Sequence, residues 1–137
     1  MKNKKGFTLI ELLVVIAIIA LLSTMAIVAL NNARQKSRDA RRVADIRQIQ
    51  AALEMFLNEC GQYPDSLTAG ATNGCPSGTT LGSFMNSIPT APTPPAGNVY
   101  TYTSASPYSS YSLVFTLEGG TGGLSSGAHT ASASGVQ

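Results

Sequence analysis

The chain has 137 residues, a formal net charge of +2, two cysteines and a single histidine. That length leaves room for one modest domain beside a long helix, and charged residues make up 12% of it, about half the usual share. No phosphate loop, no carboxylate pair in a credible pocket and no Gly-x-Ser-x-Gly is present, so the motif-bearing enzyme classes are set aside.

Lys2, Lys4 and Lys5 open the chain, and no acidic residue stands among the first six. From Phe7 to Leu30 the one ionisable side chain is Glu11. A run of about 20 apolar residues crosses a bilayer core as a helix, with the lysine-bearing end on the cytoplasmic side. A cleaved secretory signal is the competing reading. Its apolar core spans about 7–15 residues, shorter than this run, so a retained transmembrane helix is favoured. Thr8-Leu9-Ile10-Glu11 fits a capping box, with the carboxylate at the positive end of the helix dipole. Capping accounts for an acid there, but requires neither Glu rather than Gln nor a glycine before Phe7. A carboxylate at bilayer depth is costly and points to a partner and a role.

Lys5-Gly6-Phe7-Thr8-Leu9-Ile10-Glu11-Leu12, with the apolar run behind it, closely resembles the class III leader and N-terminus of type IV pilins and type II secretion pseudopilins. The resemblance implies cleavage between Gly6 and Phe7 by a prepilin peptidase, which also N-methylates Phe7. It implies that the apolar segment stays on the mature protein. It further implies that Glu11 meets the terminal amine of a neighbouring subunit during filament assembly. Many relatives carry a proline late in this segment. Here Ser23 to Ala29 holds none, which puts melting of the helix on assembly in doubt.

From Asn31 the pattern turns polar and basic without a break signal. Val43, Ile46, Ile49, Leu53, Phe56 and Leu57 then recur at helical spacing, giving one apolar face. Gly61 and Pro64 close the segment. One helix is expected from about Phe7 to Glu59, roughly 78 Å long. The cluster Arg34, Lys36, Arg38, Arg41 and Arg42 reads first as a solvated helix face. Attraction to anionic headgroups is a second reading. Phosphate contact with nucleic acid is the weakest, because no aromatic residues interleave to stack bases.

Removing residues 1–6 leaves six basic against seven acidic side chains, and no Lys or Arg follows Arg47. The exported part is therefore mildly acidic. Cys60 and Cys75 lie on the side expected to be outside, where a disulfide is favoured over two buried thiols. A zinc site is disfavoured, since four ligands are usual and His129 is the lone histidine. Residues 62–97 read as loop, rich in Gly, Pro, Ser and Thr, with one short helical turn within Leu81 to Ile88. Strands are expected at Asn98 to Thr103, at Tyr108 to Glu118 with Tyr111, Leu113, Phe115 and Leu117 on one face, and at about Gly127 to Ser132. Tyr63-Pro64 and Ile88-Pro89 through Tyr102 loosely resemble the loop and first strand of major pseudopilins. Those proteins carry a calcium site late in the head, where this chain offers only Glu118 among glycines and serines. His129 among serines and threonines allows a Ser-His reading on paper, but a solvated histidine is the plainer one.

The expected fold is α+β and type IV pilin-like: one long helix over about 7–59 packed on a small antiparallel sheet of about three strands. The expected parts are a cleaved leader (1–6), a membrane and filament-core half-helix (7–30), an amphipathic half-helix (31–59), a loop with a disulfide (60–97) and the sheet (98–137). The expected function is a structural subunit of a pilus-like filament, made as a single-pass inner-membrane precursor and ending in a surface or periplasmic filament. The resemblance implies as partners other copies of the chain, a prepilin peptidase, an inner-membrane platform protein, an assembly ATPase, and lipid before assembly. No catalytic residue, metal or cofactor is expected. The rival readings are a type II secretion pseudopilin driving export, and a membrane-anchored adhesin or binding module that never polymerises.

Overall fold

The computed structural model describes residues 6–75, 78–95 and 97–137. Most of the expected leader, residues 1–5, lies outside the described residues. One helix, α1, runs Leu9–Cys60, followed by a 3-10 turn at Leu81–Ser83 and four strands: β1 Thr101–Ser104, β2 Tyr111–Leu117, β3 Gly127–Ser132 and β4 Gly135–Val136. Residue contacts divide the chain into two units, Met1–Arg34 and Gln35–Gln137.

In the first unit α1 has no cover. Every large apolar side chain from Phe7 to Leu30 is exposed, from 45% at Val15 to 81% at Leu9. The segment is apolar all round, so no single face could have turned inward.

In the second unit α1 buries one stripe: Asp39, Arg42, Ile46, Ile49, Ala52, Leu53 and Phe56. It ends at Gly61, whose φ of 74° is a left-handed conformation open to glycine. The Gly61 N–H donates to the Leu57 carbonyl at 2.7 Å, closing the last turn. The strands form one antiparallel sheet in the order β1-β2-β3-β4. Along β2 burial alternates strictly, with Tyr111, Leu113, Phe115 and Leu117 inward, as a strand with one covered face requires. These four, Ala131 of β3 and the α1 stripe make the core, which also takes in Tyr63, Leu81 and Met85 from the loop.

The helix starts two residues later and ends one residue later than expected, β1 and β2 are shifted or shortened, and a fourth strand is present. β2 begins at Tyr111 because Tyr108 (φ 57°) is in a turn, its N–H donating to the Ala105 carbonyl at 2.8 Å. β1 begins at Thr101 rather than Asn98. β4 is a two-residue edge strand whose pairing is set by Ala131 opposite Val136, too short to leave a periodic signal.

Candidate functional site

Gly6 and Phe7 stand just ahead of α1, and Phe7 is 80% exposed. The first turn is closed by three reciprocal hydrogen bonds between Thr8 and Glu11. The Thr8 N–H donates to Glu11 Oε2 at 2.8 Å, its hydroxyl donates to the same oxygen at 2.6 Å, and the Glu11 N–H donates back to Thr8 Oγ1 at 3.3 Å. The capping box is thus formed within a single chain. Phe7, Ile10, Glu11, Val14 and Val15 line one open groove at this end of the helix.

A second polar constellation lies in the other unit. Asp39 and Arg42 are fully buried on α1. Arg42 Nη1 is 2.6 Å from Asp39 Oδ1 and 2.7 Å from Glu118 Oε1. Arg42 Nη2 donates to the Pro92 and Pro94 carbonyls at 2.8 and 2.6 Å. Arg38 forks onto Glu118 through Nε at 2.8 Å and Nη2 at 2.6 Å, the strong bidentate arrangement. Asp39 also accepts the N–H groups of Glu118 (2.9 Å), Gly119 (2.8 Å) and Gly120 (3.1 Å). The Arg38 hydrogen bonds, with Arg42 adding to them, push the Glu118 carboxyl down to about 2. Burial pushes the Asp39 carboxyl up, but the N–H groups of Glu118 and Gly119 and the Arg42 guanidinium together hold it below its ordinary value. Gly120 (φ 83°) is needed at the turn, since a Cβ there would lie 2.5 Å from the Leu124 carbonyl oxygen.

The basic cluster is therefore not one solvated face. Arg38 and Arg42 are committed to carboxylates, while Arg34, Lys36 and Arg41 stay exposed. A signal for this was present: Asp39 and Arg42 extend the spacing of Ile46, Ile49, Leu53 and Phe56 backwards along one stripe, where charge hid the pattern from an apolar count. The late-head carboxylate is likewise committed. Glu118 is held by two guanidiniums, and the turn after it aims N–H groups inward, so this donor set does not fit a calcium ion.

Cys60 and Cys75 are joined in a disulfide. Three tyrosine hydroxyls fasten loop to helix or loop to strand: Tyr63 donates to Glu54 Oε1 at 2.9 Å, Tyr100 to Asp45 Oδ2 at 2.8 Å and Tyr102 to the Pro64 carbonyl at 2.8 Å. His129 lies against Phe115. Its ring nitrogens face the backbone carbonyls of Ser125 (2.9 Å) and Gln137 (3.2 Å), a structural setting rather than a Ser-His pair.

Comparison with known proteins bears on both units. Residues 1–27 match the family model described as the prokaryotic N-terminal methylation motif. The chain is 30% identical over 136 residues to type II secretion system core protein G of Vibrio cholerae, covering 93% of this chain and 90% of that protein. It is 41% identical over 69 residues to the type IV wide pilus major component PilA4 of Thermus thermophilus, covering 50% of this chain and 53% of that one. Over 73 residues it is 40% identical to the type IV major fimbrial protein FimA of Dichelobacter nodosus, with 52% and 45% covered. No solved structure matches the chain. The methylation motif and the apolar first half of α1 fit a single-pass inner-membrane anchor that enters a filament after assembly. With the uncovered first half of α1, the antiparallel head and a near full-length match to a core pseudopilin, the chain belongs to the type IV pilin and type II secretion pseudopilin family.

Proposed function

We propose that the chain is a structural subunit of a type IV pilus-like filament, cut between Gly6 and Phe7, methylated at Phe7 and polymerised through residues 7–30. The observation that carries this reading is the uncovered apolar helix directly behind Gly6-Phe7. A helix satisfies its own backbone in lipid, so the segment is at home in the bilayer before assembly and among copies of itself afterwards. Residues 31–59 carry the head, 60–97 form the stapled loop and 98–137 the sheet that builds the outer shell. A prepilin peptidase, an inner-membrane platform protein and an assembly ATPase are the partners such a path requires. The chain's role is scaffolding, and no residue in it is assigned to catalysis.

Glu11 makes the exchange of surroundings selective. Its carboxylate caps the first turn through Thr8, four residues after the amine that cleavage would expose on Phe7. An unpaired charge in an apolar bundle is destabilising by several kcal/mol, and a neighbour's amine removes that penalty. Glu11→Ala is expected to lower the yield of sheared filaments at least about tenfold, with the subunit still in the membrane. Thr8→Ala removes half of the capping box but keeps the charge, and is expected to leave filaments largely intact. Filament yield unchanged in Glu11→Ala would overturn this role.

The second reading, a secretion pseudopilin, is favoured by the alignment across 90% of the Vibrio protein. Long surface filaments seen by electron microscopy favour the pilus. Loss of protein export on deletion, without such filaments, favours the pseudopilin.

A further inference from the structure

We infer that the Arg42 guanidinium is the head's built-in structural cation, so that the head folds and stays folded without a divalent metal. The side chain is fully buried, and oxygen acceptors meet both terminal nitrogens: Asp39 Oδ1 at 2.6 Å and Glu118 Oε1 at 2.7 Å from Nη1, and the carbonyls of Pro92 and Pro94 at 2.8 and 2.6 Å from Nη2, while Nε has no partner among the described residues. Two carboxylates and two backbone carbonyls are the donor types that a hard divalent cation selects. Here they converge on a cation that is covalently part of α1. It joins three segments remote in sequence: the helix, the proline-rich loop and the turn after β2. Cross-linking of this kind is what a bound metal supplies in a small domain.

Two further observations argue against a metal beside it. The charges already balance, with Arg38 and Arg42 against Asp39 and Glu118, so no net negative charge remains to attract a dication. The turn also has the wrong polarity. A cation-binding loop points oxygens inward, whereas Glu118, Gly119 and Gly120 point their N–H groups at the Asp39 carboxylate. That is the arrangement of an anion-binding concavity, and the anion it holds is the one paired with Arg42.

The test uses the full chain in detergent, melted by circular dichroism in EGTA and in calcium chloride. The wild-type midpoint is expected to be the same in both. Arg42→Met, which keeps bulk but not charge, is expected to lower the midpoint by at least about 10 °C. Arg42→Lys, which keeps one positive charge, is expected to lose clearly less. A wild-type midpoint that falls in EGTA and returns with calcium would overturn the inference, as would equal losses for Met and Lys. Should neither variant fold, the wild-type comparison in EGTA and calcium decides alone.

Discussion

Glu118 is the carboxylate expected to govern the head's acid response. Its folded value of about 2 lies below the ordinary 4.5, and Asp39 is shifted in the same direction. A depressed carboxyl contributes stability that is present above its unfolded value and lost as pH falls towards its folded one. The melting midpoint is therefore expected to hold from neutral pH to near 4.5 and to fall steeply as pH drops towards 2. Glu118→Gln should lower the midpoint at neutral pH and flatten that acid limb, as read by circular dichroism against pH. An unchanged limb would show that the pairing with Arg38 and Arg42 does not govern the response. Glu11 belongs to a different setting. Its partner within the chain is Thr8, and its proposed second partner is a neighbour's amine.

At the scale of elements, the loop between α1 and β1 has little regular structure and is held by point attachments. The disulfide closes a loop of 15 residues, and such a closure contributes about 3 kcal/mol in the chain-entropy picture. Cys60→Ser with Cys75→Ser is expected to lower the melting midpoint by about 10 °C or more. The same midpoint in the double variant would assign the loop's order to Tyr63, Leu81 and Met85 instead. Legibility followed the same division. The stripe Ile46 to Phe56 and the alternation of β2 were plain in the sequence because each buries one face at the period of its element. The span of β3 was also readable, from its place after a glycine-rich turn. β4 was not, since its two residues are ordered by pairing with β3 and not by any pattern of their own. The Arg42 cluster was hidden for another reason. Its partners at Pro92, Pro94 and Glu118 are remote in sequence, and an arginine-rich stretch looks solvated until the fold closes over part of it.

For the whole molecule, the governing fact is that α1 is written in two chemical styles. Residues Phe7 to Leu30 are apolar on every side and uncovered, while Asp39 to Phe56 bury one stripe under the sheet and loop. The first style belongs in lipid or among like helices; the second is satisfied by the chain's own head. The proposed processing bears on the first style alone: removal of residues 1–6 would create a terminus on Phe7, four residues before Glu11, and take away Lys2, Lys4 and Lys5. The most direct measurement is the N-terminal mass of the protein purified from its native membranes or filaments. A terminus at Phe7 bearing one N-methyl group is the expected result. A native product that still begins at Met1 would contradict the account.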